Sequence, residues 1–403
     1  MANPKILIVD DEPFNVDYLE QILEDVNCET VSAVNGQDAL DKVESEPPDL
    51  ILLDIMMPIM DGFEVLARLK ANPSWHDIPV IVISASDDLQ SVARGIELGA
   101  EDYLPKPFQP ILLHARISSS LEKKRLRDLQ HLYLQGLERE LDIGRQIQKS
   151  FLPSELPQVD GWELAACFKA AREVAGDFYD AYMLPDRNLV CVVGDVCGKG
   201  VGAALFMTLF RSLIRVTSTS GYFSDRQTVK AITPAERLRH AISFTNNYVA
   251  ETHSDAFVFA TVFIGIINPE DGKLSYMNCG NDPPLLLRRG SVVASLRPTG
   301  PAVGVIPAAT FSVEEILIEK DDLLLAFTDG IPDSKNAEGV FFGHERLMAV
   351  LDDVYPTPAT LLDKIQAQLL QFAGTAEQFD DITLLAVKRT DLDTIAPGSS
   401  RRS

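Results

Sequence analysis

The hydrophobic pattern changes rhythm along the chain. Up to residue 120, short apolar runs alternate with amphipathic stretches of helical length. Lys5-Ile6-Leu7-Ile8-Val9, Leu50-Ile51-Leu52-Leu53 and Val80-Ile81-Val82-Ile83 are the runs, and 15–26 and 36–45 are two of the stretches between them. Strands without polar positions, separated by helices, predict a parallel sheet covered on both faces. From 116 to 151 the pattern becomes that of one helix. Leu126, Leu129, Tyr133, Leu137 and Leu141 recur at gaps of three and four, and Ile143, Ile147 and Phe151 continue on a shifted face past Gly136 and Gly144. A helix of this length between domains is either a coiled-coil dimerisation element or a packed lever that moves against the next domain. We favour the lever, and the leucine stripe also provides for a homodimer.

Beyond Pro153 the runs become strand-like and the helices fewer. Trp162 to Phe168 reads as a strand, and Ala175-Gly176-Asp177 turns into another. Leu189 to Val193 reads as a buried strand ending in Gly194-Asp195, with glycines at every second position as far as Gly202. A helix is predicted over 201–216 and a β-hairpin over 257–278 around Asn268-Pro269-Glu270-Asp271-Gly272. Runs of strands with fewer, longer helices predict an α+β sandwich.

Chemistry concentrates where these runs end. In a parallel sheet the functional residues gather at the carboxyl ends of the strands. Here those ends carry Asp10, Asp11, Asp54, Ser84 and, after Asp102-Tyr103-Leu104-Pro105, Lys106. Three carboxylates at one rim repel one another unless a cation lies among them, and magnesium suits an oxygen-only site. A carboxylate beside it is a nucleophile toward phosphorus, with Lys106 and the Ser84 hydroxyl placed for the phosphoryl oxygens. In the second half Asp177, Asp195, Asp329 and Asp380 each adjoin an apolar run, the first three with glycine beside them. Hard oxygen ligands select magnesium or manganese. Two such cations bind a phosphate and activate a water for in-line attack.

Composition sets limits on this picture. The 403 residues suggest two or three domains, and a net charge of -23 opposes nucleic acid or an anionic membrane as partner. Five scattered cysteines without metal-knuckle spacing read as buried thiols in a reducing compartment. No signal-peptide pattern opens the chain, and no apolar stretch is expected to span a membrane. A cytoplasmic location is the expectation.

Residues 4–120 resemble a response-regulator receiver domain of two-component signalling. The likeness rests on Ile8-Val9-Asp10-Asp11-Glu12, Leu53-Asp54-Ile55-Met56-Met57-Pro58, Ile83-Ser84-Ala85 and Tyr103-Leu104-Pro105-Lys106-Pro107-Phe108. It implies a flavodoxin-like five-stranded parallel sheet and Asp54 as acceptor of a phosphoryl group from a histidine kinase. It also implies Asp10 and Asp11, with Asp54, as magnesium ligands, Ser84 and Tyr103 as the switch pair, and a cis bond before Pro107.

Residues 140–388 resemble the bacterial branch of the protein phosphatase 2C family, the sporulation and stress-response phosphatases. Matching segments include Ile147-Gln148-Lys149-Ser150-Phe151-Leu152-Pro153, Glu173-Val174-Ala175-Gly176-Asp177, Gly194-Asp195-Val196-Cys197-Gly198-Lys199-Gly200, Phe327-Thr328-Asp329-Gly330 and Asp380-Asp381-Ile382-Thr383. The resemblance implies an αββα sandwich with two Mn2+ or Mg2+. By the resemblance Asp177 and Asp195 bridge or ligate the ions, the Val196 carbonyl completes one shell, and Asp329 and Asp380 complete the second ion's, with Asp381 as a neighbour. Lys199 stands where the family often has histidine, and Asn281-Asp282 where His-Asn is usual. Arg172 is a candidate phosphate contact.

The expected organisation is a receiver at 1–120, a helical connector at 121–152, a metal-dependent phosphatase domain at 153–389 and a disordered tail at 390–403. The expected function is a response regulator that dephosphorylates phosphoserine or phosphothreonine on a partner, by family analogy an anti-sigma-factor antagonist. The alternative is a phosphorylation-gated binding protein that holds its partner without turnover.

Overall fold

The computed structural model describes residues 3–24, 27–84, 89–107, 109–219 and 232–390. Apart from Thr390, the tail expected over 390–403 lies outside them, as do Ala85 and Phe108 of the motifs above. The chain divides into two compact units, Met1–Glu138 and Arg139–Ser403.

In the first unit the apolar runs become β1 (Lys5–Val9), β3 (Leu50–Asp54) and β4 (Val80–Ser84), with β2 (Glu29–Ala33) and β5 (Asp102–Pro105). They pair in the order β2-β1-β3-β4-β5, every neighbour parallel. Alternate residues serve opposite faces, as period-two strands require. Leu7, Val9, Ile51 and Leu53 pack on α2 (Gly36–Ser45) and α3 (Gly62–Ala71). Ile6, Ile8, Leu50 and Leu52 pack on α1 (Pro13–Leu23) and on Leu113 and Ile117 of the last helix. The first helix, expected over 15–26, starts earlier because Pro13 already has the φ its first turn needs.

That last helix, α5 (Pro110–Phe151), follows α4 (Leu89–Glu97), is 42 residues long and contains nearly all of 121–152. Its residues up to Glu138 belong to the first unit and the remainder to the second. Leu126, Leu129, Tyr133, Ile143 and Ile147 are all more than half exposed.

The second unit is a four-layer αββα sandwich. The strands that carry the site are β7 (Phe178–Met183), β8 (Leu189–Val196), β9 (Ala260–Ile267), β14 (Leu323–Phe327) and β15 (Ile382–Arg389). Its strands also include β6 (Trp162–Lys169), β10 (Lys273–Cys279), β11 (Leu285–Arg288), β12 (Ser291–Ser295) and β13 (Glu314–Leu317), and one sheet runs β13-β10-β9-β8-β7 and the other β12-β11-β14-β15-β6. Between the sheets lie Trp162, Leu189, Cys191, Val193, Phe263, Leu324, Leu385 and Val387. Outside the first sheet, α6 (Val201–Thr219) and α7 (Pro234–Thr252) bury Met207, Phe210, Ile214, Leu238 and Ile242. Outside the second, α8 (Gly343–Leu351) and α9 (Pro358–Ala373) bury Leu347, Leu361 and Ile365.

Three expectations need correction. The strand read as ending at Val193 continues through Gly194 and Asp195, which pair with Val262 and Thr261 of β9. Gly194 reads as a break in sequence, but it is the residue that admits the Phe178 ring, which a Cβ there would meet at 2.6 Å. The hairpin strand expected from Phe257 begins only at Ala260, because Phe257 (φ +49°) closes a 3-10 turn over Ser254–Ala256. Finally, α6 is long and apolar enough to span a bilayer by length and composition. Its buried face packs on α7 and the sheet, which is how a core helix is built.

Polar contacts fix α6 as well. Asp180 of β7 is buried and pairs with Arg211 at 3.0 Å and Arg215 at 2.8 Å, two residues one helical turn apart. Replacing Asp180 by alanine leaves a buried guanidinium unpaired and is expected to cost about 3 kcal/mol. Urea unfolding of the full chain measures this, and a loss below about 1 kcal/mol would contradict the structural role.

Candidate metal centres

Asp10 follows β1, Asp54 ends β3 and Ser84 ends β4; all three are buried, while Asp11 is exposed. Asp10, Asp11 and Asp54 each bring a carboxylate oxygen within 4.8 Å of the others. Among the described residues this is the one acidic group so close. Lys106 reaches it from the loop after β5, donating to Asp10 at 2.7 Å and lying 3.3 Å from Asp54. The Ile55 amide donates to the other Asp54 oxygen at 2.9 Å. Burial raises the Asp54 carboxyl above its ordinary range, Lys106 opposes that and Asp10 reinforces it. Asn15, absent from the motifs, donates to both oxygens of Asp10 at 3.0 and 3.1 Å, and the Glu12 amide adds a third bond. The Lys106-Pro107 bond is cis. Tyr103 packs against the α2/α3 side of the sheet.

In the second unit Asp177 lies just before β7 and is buried. Its Oδ2 accepts from the Thr328 and Thr383 hydroxyls, each at 2.7 Å, across 151 and 206 residues of sequence. Those threonines leave β14 and enter β15, so the second sheet holds an acid belonging to the first. Asp195 lies close enough for the two carboxylates to act on each other's ionisation. Burial, then Asp195 and Asp381, raise the Asp177 carboxyl well above its ordinary range, and the two hydroxyls resist this. Asp195 is pushed up to about 7, by burial first and by Asp329 next. Asp329, open to solvent on one side, is lifted to about 6 by partial burial with Asp380, Asp333 and Asp282.

Asp381 is occupied differently. Its two oxygens accept from the Ala171 amide at 2.7 Å and the Gly176 amide at 2.8 Å, tying the loop before Asp177 to the start of β15. Gly330 makes a second close approach possible, since a Cβ there would lie 1.7 Å from the Asp381 carbonyl oxygen. Asn281 braces the same corner by donating to the Phe327 carbonyl at 2.9 Å. Gln148 of α5 is buried and clamps Ala175 from both sides, donating to its carbonyl at 2.6 Å and accepting from its amide at 3.0 Å. The Val196 carbonyl oxygen faces Gly176, where a Cβ would sit 2.8 Å away. Arg172 is exposed.

Sequence reasoning named the acids and missed what holds them. The threonines stood in plain view beside Asp329 and Asp381, but nothing local showed that their hydroxyls serve Asp177.

A family model for Stage II sporulation protein E (SpoIIE) matches residues 185–390, just over half of the chain. The chain belongs to the SpoIIE family. A second model, the response regulator receiver domain, matches 6–118. The SpoIIE-family chain therefore joins a receiver domain to a SpoIIE-type domain. Protein IcfG of Synechocystis sp. is 41% identical over 262 residues, covering 62% of this chain and 41% of that one. Alkaline phosphatase synthesis transcriptional regulatory protein PhoP of Bacillus subtilis is 40% identical over 124 residues, covering 31% of this chain and 51% of its own length. This chain therefore spans about half or less of each of these relatives. The solved SiaA-PP2C domain of Pseudomonas aeruginosa superposes with a TM-score of 0.53, covering 64% of this chain and 99% of that domain. At 21% identity, that likeness concerns the fold.

The second unit's donor set of carboxylates and a backbone carbonyl fits hard divalent cations, with no thiolate or imidazole in it, and burial and then neighbouring acids raise Asp177, Asp195 and Asp329. Below their raised pKa values these acids hold protons that a cation must displace. Manganese affinity of the second unit is therefore expected to fall as pH drops from 8 to 6. Thr383→Val, which removes a bond favouring ionised Asp177, is expected to move that fall to higher pH. Calorimetric titration across this range checks it, and a flat affinity in both proteins would contradict the assignment.

Proposed function

We propose that this chain is a two-component response regulator whose output is metal-dependent dephosphorylation of a partner protein. The observation that carries the reading is the convergence of Asp177, Asp195, Asp329 and Asp380 at the edges of two packed sheets, with Asp177 held by Thr328 and Thr383. Asp177, Asp195 and the Val196 carbonyl are proposed for one Mn2+ or Mg2+, and Asp329 and Asp380, with Asp381 close by, for the other. When bound, such ions supply charge for a phosphate and an activated water. The chain's own residues fix the positions: the threonine hydroxyls favour the ionised form of Asp177 against its burial, and the Asp381 carboxylate holds the Gly176 loop. Hydrolysis turns phosphoserine or phosphothreonine and water into the free hydroxyl and inorganic phosphate.

In the receiver, Asp54 is proposed to accept the phosphoryl group from a kinase phosphohistidine, leaving the histidine free, and Asp10 and Asp11 with Asp54 would hold a magnesium ion that supplies charge for the phosphoryl oxygens. Lys106 balances the added charge, and Ser84 and Tyr103 report it. The connector at 121–152 would carry the change into the domain at 153–389. Its route is supported by the Gln148 clamp on Ala175, two residues from Asp177. The partner is proposed to be a phosphorylated anti-sigma-factor antagonist, the setting the cytoplasm, and the exposed stripe of α5 a homodimer contact.

Asp195→Ala is expected to reduce manganese-dependent hydrolysis of a generic aryl phosphate to background. Full residual activity would overturn the metal assignment and favour a binding protein without turnover. Asp54→Ala is expected to abolish the response of that hydrolysis to acetyl phosphate. An identical response in variant and parent would refute receiver control.

A further inference from the structure

Lys199 lies in the loop between β8 and α6, flanked by Gly198 (φ +96°) and Gly200 (φ +79°). Its ammonium crosses to a distant part of the chain. It lies 2.7 Å from Asp380 Oδ2 and donates to the Phe379 carbonyl at 2.9 Å, a separation of 180 residues in sequence. The Phe379 ring lies 4.5 Å from the same ammonium, and the Lys335 ammonium is 3.4 Å from that ring's centroid. The charge of Lys199 also reaches Asp329, where it opposes the upward shift caused by burial and the neighbouring acids. A lysine 35% exposed has water available, yet this one has an anion, a carbonyl and an aromatic face as partners.

The two corners of the site therefore differ. Among the described residues, Asp177 and Asp195 have no cationic side chain as partner. Asp177 accepts from hydroxyls, which favour its ionised form without occupying the site with charge. Asp380 shares an oxygen with a full positive charge supplied by the chain itself.

Resting on the metal-centre reading above, we propose that Lys199 is a tethered competitor for the cation at the Asp329/Asp380 corner. An incoming divalent ion must draw Asp380 away from the ammonium and bear repulsion from a unit charge that remains covalently attached. The Asp177/Asp195 corner carries no such handicap. Lys199 thereby makes the two cation positions unequal and sets how much free metal the second one requires.

The test is calorimetric titration of Mn2+ into the chelator-stripped full chain carrying Asp11→Ala and Asp54→Asn, which silence the receiver's cation site. The parent is expected to bind two ions with unequal affinity. Lys199→Met is expected to tighten the weaker one about tenfold, the effect of removing one partly screened charge, and to leave the tighter one unchanged. Lys199→Gln should act in the same direction, which guards against a packing defect in one variant. Lys199→Arg, which keeps the charge, should stay near the parent. Unchanged or weakened binding at the second position in both neutral variants overturns the inference, as do equal affinities in the parent. A parent that binds no manganese overturns the metal-centre reading itself, and the inference with it.

Discussion

Like-charged carboxylates brought together out of water oppose folding, and the second unit is arranged around that repulsion. Asp177 is the extreme case, buried beside Asp195 and raised far from its ordinary range. What keeps it in place is a pair of threonine hydroxyls from the opposite sheet. The sandwich core between the sheets thus does more than bury area. It fixes the distance between the strand that leads from Asp177 and the two that flank Thr328 and Thr383, so loss of sheet packing would loosen the acid cluster directly. Sites built this way hold strain that the rest of the fold must offset.

The receiver meets the same repulsion with different chemistry. There, one lysine lies between two buried aspartates, close to both Asp10 and Asp54. Asn15 and the Glu12 amide satisfy what remains of Asp10. The second unit uses neutral hydroxyls at one corner and a lysine at the other. A site closed by hydroxyls is ready for a divalent ion, whereas a site closed by a lysine must first yield its partner.

Much of this was legible in the sequence, for identifiable reasons. The first sheet declared itself because strands buried on both faces need unbroken apolar runs, and each run ended in a residue of the rim. The acids of the second unit were visible because Asp-Gly and Asp-Asp pairs at strand edges stand out against apolar neighbours. What stayed hidden was every relation between distant segments. Gly194 read as a strand end because glycine is the usual breaker, although its role is to admit Phe178. Phe257 read as strand because propensity cannot see the 3-10 turn before it. Gln148 belonged to a helical pattern that gave no sign of its clamp on Ala175, and Lys199 looked like a loop residue until the fold brought it to Asp380.

The central claim is that the acids of the second unit are held together at a cost which divalent cations relieve. Thermal unfolding of the full chain, with chelator and then with manganese at about a hundred times its dissociation constant, tests this most directly. Manganese should stabilise the second unit by about 2.7 kcal/mol per site, seen as a rise in its unfolding midpoint, and Asp177→Asn should lose most of that rise. Equal shifts in parent and variant, or none in either, would contradict the account.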